Sequence, residues 1–361
     1  MKISDILPDG RDVWDRLRET DKPIVVYGTG NGVDKLISAF VDRGIRIADF
    51  FASDGFVRER MFHGKKVLGY SAVCEKYDDF IVVVGFGSRL PDVMANVERI
   101  AAERELYIPE MPVVGEGIFD KAYFLAHESE INAAREVFSD NESGRLFDDI
   151  IAYRLTGELR YLSRVTTPEE VIGRLVGAES VRSYVDLGAY DGDTIRELSA
   201  MAPGLTSVTA FEPDARSFRK LSAFAETDHP YSLETVNAAA WDADTSLDFT
   251  AEGNRNSTLV SDVGLKAGAK TKTVRCAKVD TVLGGRAVDY IKYDVEGAEA
   301  EALSGSMETV ARWHPTLLVS LYHRSEDLFS LPLLVRGMGY ERLYLRRYAG
   351  FPAWDLNLIA K

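Results

Sequence analysis

The stretch VDLGAYDGDT, residues 185–194, decides the fold class. It has the pattern of a buried strand that ends in a tight glycine turn and continues as a helix. Glycine lets the backbone of such a turn approach a ligand closely, and ligands bind α/β sheets at the carboxyl ends of the strands. Glu212 lies 24 residues beyond Gly188, at the end of the next predicted strand. An acid at that place can accept both hydroxyls of a ribose.

The interior of this turn is acidic, which limits the kind of ligand. The turn departs from the G-x-G-x-x-G pattern of dinucleotide sites, and Asp186, Asp191 and Asp193 would repel a pyrophosphate. The pattern suits a ligand with a ribose and a positive amino group but no phosphate, a description that S-adenosylmethionine (SAM) meets. The alternative is a tight strand–helix turn that binds nothing.

Strands and helices alternate on both sides of this segment, which indicates parallel α/β sheets. Residues 1–118 have the pattern of a small doubly wound domain, residues 119–178 show helical periodicity, and the alternation resumes over residues 179–361. We therefore predict an α/β protein with two Rossmann-like doubly wound domains joined by a helical connector. In the C-terminal domain we predict strands at Ser183–Leu187, Ser207–Glu212, Leu233–Ala238, Tyr290–Tyr293 and Thr316–Leu321, a helix at Ala298–Ala311, a β excursion at Ser246–Val279, and an antiparallel pair at Glu341–Arg347 and Trp354–Ile359.

Composition excludes several classes of protein. The 361 residues include 43 Lys and Arg against 57 Asp and Glu, a formal net charge of −14, so we expect no nucleic-acid partner. Cys74 and Cys276 are too few for a disulfide framework or a cysteine zinc cluster. The acidic N-terminus lacks the apolar core of a signal peptide, and no apolar run reaches the ~18–20 residues of a membrane span. We expect a cytoplasmic protein without a membrane partner, able to form homo-oligomers.

A second cluster of chemically active residues lies at Asp289–Glu299. Side chains alternate along a strand, and Asp294 and Glu296 follow the strand's carboxyl end, over the same crevice as the glycine turn. Lys292, Asp294 and Glu296 are therefore candidate catalytic residues that orient a hydroxyl and accept its proton. The alternative is a lysine–carboxylate ion pair, with Glu299 capping the next helix.

With these motifs in place, the sequence resembles the FkbM family of SAM-dependent methyltransferases. The resemblance rests on VDLGAYDGDT (185–194), FEPD (211–214), NAAAWD (237–242), KVDTVL (278–283), IKYDVEGAEAEALSG (291–305) and the run from Ser320 to Leu328. It covers most of residues 180–345. It implies a SAM-dependent methyltransferase fold in the C-terminal domain and O-methylation of a hydroxyl on a sugar, glycan or secondary metabolite.

The resemblance also implies roles for single residues. Asp186, Gly188 and Asp193 would surround the methionine part of SAM, with Tyr190 and Thr194 in the same cofactor-binding turn. Glu212 would hold the ribose, and Asn237 and Ala238 would border the adenine. Asp294 and Glu296 would face the transferred methyl group, with Lys292 in support.

His323 follows a predicted strand end and is the remaining candidate catalytic residue. Its unperturbed pKa of about 6.5 suits a general base. Together with Asp294 and Glu296 it could also hold a divalent metal that acidifies the substrate hydroxyl, although the spacing is not diagnostic. The alternative is a hydrogen-bonded histidine at the entry of the helix near Glu326.

Two further readings of the whole chain stay open. Gly28–Val33 begins like a dinucleotide fingerprint with Val33 in place of the third glycine, and Asp54 is within reach of a ribose role. The N-terminal domain could therefore serve an NAD-dependent oxidoreductase or a nucleotide-sugar enzyme, although we favour a scaffold. The second reading is a non-catalytic SAM-binding scaffold. Arg346 and Arg347 could meet an anionic group or form a charged strand edge, and Gly253–Leu259 could contact substrate hydroxyls.

Overall fold

The computed structural model describes residues 2–57, 60–115, 117–250, 258–259 and 271–361. Their strands form two large parallel-dominated sheets and one small sheet, which confirms the predicted mixed α/β class. The further prediction that both halves are Rossmann-like domains with the stated boundaries stays a prediction. Among the helices of the described ranges, none is long and apolar enough to cross a membrane.

The first sheet has the strand order β3-β4-β2-β1-β5-β6, and its pairs are parallel except for β3 with β4. Its central strands β1 and β5 are wholly buried runs of apolar residues, as expected for strands covered by helices on both faces. The strands are β1 (Ile24–Tyr27), β2 (Ile47–Ala52), β3 (Met61–Phe62), β4 (Lys65–Gly69), β5 (Ile81–Val84) and β6 (Glu105–Tyr107). The helices are α1 (Ile3–Ile6), α2 (Val13–Glu19), α3 (Asn31–Asp42), α4 (Tyr70–Lys76) and α5 (Pro91–Glu103), with a 3₁₀ turn at Asp54–Phe56.

A helical segment links the two large sheets. It contains α6 (Lys121–Ala126), α7 (Glu128–Arg135) and α8 (Asn141–Thr156), then a 3₁₀ turn at Leu159–Leu162, a π-helix at Glu169–Val176 and a 3₁₀ turn at Ala178–Ser180. Helix α8 begins at the N-cap Asp140, whose side chain accepts a hydrogen bond from the Ser143 amide, and it ends at Gly157 in the left-handed conformation. Eleven of its sixteen residues are buried.

The second large sheet has the order β16-β17-β15-β14-β7-β8-β9. Strands β14, β15, β7, β8 and β9 run parallel, whereas β17 is antiparallel to both of its neighbours. The chain builds outward from β7 in one direction and then returns to β14 on its other side. This reversal makes a switch point, where the carboxyl ends of β7 and β14 open a crevice.

The elements of this part follow the predicted order closely. Its strands are β7 (Ser183–Leu187), β8 (Ser207–Phe211), β9 (Ser232–Val236), β14 (Tyr290–Tyr293), β15 (Thr316–Ser320), β16 (Leu343–Arg347) and β17 (Leu356–Ala360). Its helices are α9 (Asp193–Met201), α10 (Ala215–Ala225), α11 (Val279–Leu283), α12 (Glu299–Ser304), α13 (Met307–Trp313) and α14 (Asp327–Gly337).

The predicted β excursion forms the small sheet, with the order β10-β13-β11-β12. Its strands are β10 (Ala239–Ala240), β11 (Thr245–Thr250), β12 (Thr258–Leu259) and β13 (Thr271–Ala277). The predicted substrate loop Gly253–Leu259 lies outside the described residues, apart from strand β12.

Two sequence predictions need correction. The single helix expected over Ala298–Ala311 is divided into α12 and α13, because Gly305 packs directly against the Trp241 carbonyl and Asp280 accepts hydrogen bonds from the first amides of α13. Arg346 and Arg347 are buried, and so neither forms an exposed edge nor meets an external anion. Arg346 pairs with Asp140 at 2.8 Å, and Arg347 donates to the carbonyls of Leu162 and Gly350.

Candidate functional site

A cleft of about 2180 Å³ lies at the carboxyl ends of β7, β8 and β14. One wall consists of the turns that follow these three strands. The opposite wall includes residues 87–90, which follow β5 of the first sheet, and residues 348–355, which precede β17. The crevice at the switch point is therefore enclosed by residues from both large sheets.

The turn after β7 contacts the turn after β14. Gly188 has φ +87°, and a Cβ placed there would overlap with the carbonyl oxygen of Asp294, so only glycine fits. Tyr190 also has a positive φ, of 49°, which is uncommon for a bulky residue and is typical of functional turns. The two turns thus meet at backbone distance and form a single surface.

Glu212 is 7% exposed at the end of β8 and lines the cleft. One of its carboxylate oxygens accepts a hydrogen bond from the Tyr190 amide at 2.9 Å, and the other accepts from the Asp214 amide at 2.7 Å. Burial raises the pKa of Glu212 to about 7, although both amide hydrogen bonds act to lower it. Each oxygen keeps a lone pair for a ligand hydroxyl.

The predicted cofactor residues separate into two groups. Asp186 is fully buried beneath the turn, accepts a hydrogen bond from the Thr194 hydroxyl and lies 3.7 Å from Lys292 Nζ. Asn237 donates to the Glu212 carbonyl at 2.8 Å. These two support the cleft from behind, and the others line it directly: Gly188, Tyr190, Asp193, Thr194, Glu212 and Ala238.

Asp294 is the most heavily hydrogen-bonded carboxylate of the site. Its Oδ2 accepts from Lys292 Nζ at 3.1 Å, and its Oδ1 accepts from the hydroxyls of Ser320 at 2.8 Å and Tyr322 at 3.0 Å. Burial alone would raise the pKa of Asp294, but the Lys292 ammonium and His323 outweigh it and hold this pKa well below its ordinary value. Asp294 is therefore a permanent carboxylate.

Lys292 is a permanent cation for the complementary reason. Burial alone would lower the pKa of its amine, but Asp294 and then Asp186 outweigh this effect and raise the pKa above its ordinary value. Lys292 thus forms ion pairs with both Asp294, which follows β14, and Asp186, which lies within β7.

His323 is 1% exposed and lies among three carboxylates. Its Nδ1 is 2.9 Å from Glu299 Oε1, and its Nε2 is 3.7 Å from an oxygen of Asp294 and 3.7 Å from one of Glu296. Burial acts to lower the pKa of His323, but Glu299 and the other two carboxylates raise it to about 10. A general base must be unprotonated near neutral pH, so this environment disfavours the base role predicted for His323.

Glu299 and Tyr322 are site residues that the sequence reasoning did not assign. Glu299 is 1% exposed, and its Oε1 accepts from the Val295 amide at 2.9 Å while facing His323. Its position at the start of α12 allowed it to be taken for a helix cap. Tyr322 directly precedes His323, and its place two residues after the end of β15 was the available signal.

The sequence predicts a divalent metal held by Asp294, Glu296 and His323, and His323 Nε2 lies 3.7 Å from one oxygen of each of these two carboxylates. Donor atoms of Asp294, Glu299 and His323 lie within 4.8 Å of one another. However, both oxygens of Asp294 already accept protein hydrogen bonds, and an ammonium occupies the position beside Oδ2. The group fits an ion-pair network better than a metal centre, so we derive no step through a metal.

The N-terminal glycine turn has a different environment. A Cβ at Gly28 would lie 2.8 Å from the Phe86 ring, and one at Gly32 would lie 2.7 Å from the Gly85 carbonyl. Asp54 accepts from the Ser71 amide and hydroxyl at 3.1 and 2.7 Å. Phe86 therefore packs against Gly28, and Asp54 is engaged by Ser71 within the protein.

Residues 186–342 match the family described as the methyltransferase FkbM domain. The chain therefore carries a methyltransferase domain, and the resemblance found in the sequence is confirmed. The matched range contains the glycine turn, Glu212, the Lys292–Asp294 pair and His323.

Solved structures give a similar result for the fold. The chain is similar to the methyltransferase FkbM of Methylobacillus flagellatus KT, with 17% identity, 99% of this chain and 93% of that one covered, and a TM-score of 0.70. It also matches a precorrin-6y C5,15-methyltransferase of Geobacter metallireducens GS-15 (12% identity, 55% and 91% covered, TM-score 0.32) and fibrillarin of Aeropyrum pernix with bound S-adenosyl-L-methionine (12% identity, 54% and 74% covered, TM-score 0.35). The last two TM-scores are too low to support a conclusion. No curated protein matches the chain.

Proposed function

We propose that this protein is a SAM-dependent O-methyltransferase whose acceptor is a hydroxyl of a sugar, glycan or secondary metabolite. The observation that carries the proposal is the contact of the Gly188 turn with Asp294, because it brings the predicted cofactor wall to the predicted catalytic carboxylate. SAM, when bound, supplies an electrophilic methyl group.

The cofactor wall fits a ligand with a ribose and an ammonium. Glu212 offers both carboxylate oxygens to the ribose hydroxyls, while Asp193 adds a negative charge to the same wall. Ala238, which lines the cleft and follows Asn237, would border the adenine with an apolar side chain. These residues would bind and orient the cofactor by hydrogen bonds and charge, with no group suited to a pyrophosphate.

The acceptor hydroxyl would be oriented by Asp294. Since this carboxylate is ionised and held by Lys292, Ser320 and Tyr322, it can accept a hydrogen bond from the hydroxyl without moving. Its low pKa makes it a weak base, however. Glu296 lines the same cleft with its side chain 49% exposed, so it can take the proton and release it to water.

The transfer step balances with these groups alone. With SAM bound, the acceptor oxygen would take the methyl group, the electron pair of the S–CH₃ bond would stay on the sulfur of the departing S-adenosylhomocysteine, and the Glu296 carboxylate would take the hydroxyl proton. His323 and Lys292 keep the surrounding carboxylates in place. His323 is therefore a positioning residue in this proposal, in contrast to the general base that the sequence suggested.

The test is a pair of calorimetric titrations of the protein with SAM and with NAD. We expect SAM to bind in the micromolar range, with at least tenfold weaker binding in Glu212→Ala, and NAD to show no heat. The packing of Phe86 against Gly28 and the hydrogen bonds of Asp54 with Ser71 favour this result over the oxidoreductase reading. Binding of NAD alone would overturn the proposal, and SAM binding without methyl transfer to any hydroxyl acceptor would favour the scaffold reading. The acceptor class, a cytoplasmic location and homo-oligomers stay predictions.

A further inference from the structure

The cleft is larger than the cofactor needs, and its far wall has its own chemistry. Pockets for drug-sized ligands occupy about 300–1,000 Å³, whereas this cleft measures about 2180 Å³. The far wall includes residues 87–90, residues 350–352, Trp354 and Asp355, which together we call the seam. Since Ser88 and Phe351 exchange two backbone hydrogen bonds of 2.8 and 3.1 Å, the seam joins the first sheet to the second.

Trp354 is the largest side chain of the seam that faces the cleft. A Cβ at Gly87 would lie 2.5 Å from Trp354 Cζ3, so the indole rests against the Gly87 backbone, which fixes its position. The residue remains 36% exposed and lines the cleft. It is therefore a fixed aromatic surface with room for a ligand beside it.

The polar groups beside Trp354 form a charge-neutral pair. Arg89 forms an ion pair with Asp355, and both residues line the cleft. Because the two charges cancel, the pair offers little net attraction to an anionic acceptor. The Arg89 guanidinium donates hydrogen bonds and the Asp355 carboxylate accepts them. A hydroxyl group does both, so the pair can bind the hydroxyl groups of a ligand.

The seam lies close to the proposed reaction centre. Trp354 precedes Asn357 by three residues, a separation that spans at most about 10 Å. Asn357 pairs with Ser320 across β17 and β15, and the Ser320 hydroxyl lies 2.8 Å from Asp294. Trp354 and Asp294 also line the same cleft, so a ring held against Trp354 lies in the space that Asp294 faces.

We propose that the seam is the acceptor subsite, and that it binds a carbohydrate ring stacked on Trp354 with its hydroxyls read by Arg89 and Asp355. This inference rests on the proposed methyl transfer and adds a role for the first sheet, because residues 87–90, which follow β5, belong to the subsite. The C–H face of a pyranose packs on an indole, while the hydroxyls at its rim bind polar neighbours.

The experiment is saturation-transfer NMR with methyl glycosides of common hexoses and deoxyhexoses at millimolar concentration, with and without S-adenosylhomocysteine. We expect transfer to the ring C–H protons of at least one glycoside, and at least a fivefold loss of signal in Trp354→Ala. Trp313→Ala is the matched control, because Trp313 is similarly exposed at 39% but lies outside the residues that line the cleft. Should Trp354→Ala fail to fold, Trp354→Phe and Arg89→Ala replace it, since Arg89 is 66% exposed.

The outcomes separate this inference from the proposed function. No transfer to any glycoside, a signal that persists in Trp354→Ala, or transfer to a simple phenol in place of the glycosides would overturn the subsite. SAM titration of the same variants is independent of these results, and we expect its affinity to change less than threefold. If the unaltered protein does not bind SAM, the proposed function is overturned. The glycoside measurement still shows in that case whether a sugar ring binds at Trp354.

Discussion

Asp294 is the residue on which the proposed chemistry depends most. Its charge is fixed by Lys292, Ser320 and Tyr322, so Asp294→Asn removes the charge while keeping nearly the same shape. We expect kcat to fall by about 10²–10⁴-fold with SAM affinity changed less than threefold. Single-turnover methyl transfer from labelled SAM measures the rate of the chemical step, and calorimetry measures the SAM affinity. Glu308→Gln, an exposed acid on α13, is the control, and unchanged turnover in Asp294→Asn would refute the role.

Glu212 gives the site a pH dependence. Its pKa of about 7 lies above the ordinary value because of burial, so the carboxylate fraction falls as the pH drops below 7. A protonated carboxyl loses acceptor capacity for the ribose hydroxyls, and we expect the SAM Kd to rise roughly tenfold per unit between pH 6.5 and 5. Calorimetry across pH 5–8 measures this. Glu212→Gln should bind weakly with a flat profile, and a flat profile in the unaltered protein would contradict the assignment.

At this scale the sequence locates residues better than it determines their protonation. His323 could be found from its place after a strand, but its proton depends on Glu299, Asp294 and Glu296, which all lie in the segment between β14 and the start of α12. The ordinary histidine pKa therefore does not describe this environment, and the base role of His323 stays a prediction. Side-chain distances of 3–4 Å between segments far apart in the chain are not encoded in any local pattern.

The two turns form the element on which the site is built, and Gly188 is its most constrained position. Gly188→Ala combines a left-handed φ of +87° with an overlap on the Asp294 carbonyl. Gly339→Ala is the matched control, since its φ is +96° but nothing lies within 4 Å of the added Cβ. We expect the control to lose ~1–2 kcal/mol of unfolding free energy and Gly188→Ala to lose more, together with SAM binding. Urea unfolding measures both, and equal losses would contradict the close approach.

The elements also show where local patterns stop being informative. The strands near the switch point were predicted within a residue or two, because apolar runs and glycine turns are strong local signals. The division between α12 and α13 was not, since Gly305 and Asp280 act through contacts with residues of other segments. A continuous apolar periodicity across Ala298–Ala311 gives no sign of that break.

At the scale of the whole molecule, the attachment of the two sheets to each other was beyond the sequence. Ser143 in α8 accepts from the Leu345 amide at 2.9 Å, 202 residues away in the chain. The apolar core likewise includes residues from both sheets and from α8. Periodicity predicts that each part buries a face, but it does not say which partner covers that face.

A buried ion pair offers a test of this attachment. Arg154 of α8 donates to Glu110 at 2.9 Å and to the Ser325 carbonyl at 2.9 Å, so one side chain joins the first sheet, the helical segment and the region after β15. Both charged side chains are less than a tenth exposed. Burial raises the pKa of Glu110, which shows how much its carboxylate depends on Arg154 for compensation.

We expect Arg154→Met to reduce the unfolding free energy by about 3–5 kcal/mol, because it leaves the Glu110 carboxylate buried without its cation. The double variant Arg154→Met with Glu110→Met should recover much of this loss, since replacing a whole buried pair with apolar residues is often close to neutral. Denaturant unfolding followed by tryptophan fluorescence and by circular dichroism measures the changes. If Arg154 joins the parts of the molecule as described, fluorescence and circular dichroism report different unfolding transitions in Arg154→Met. In the double variant the two methods report the same transition. A loss below 1 kcal/mol in Arg154→Met, with coincident transitions, would mean that apolar packing around α8 holds the sheets together without the ion pair.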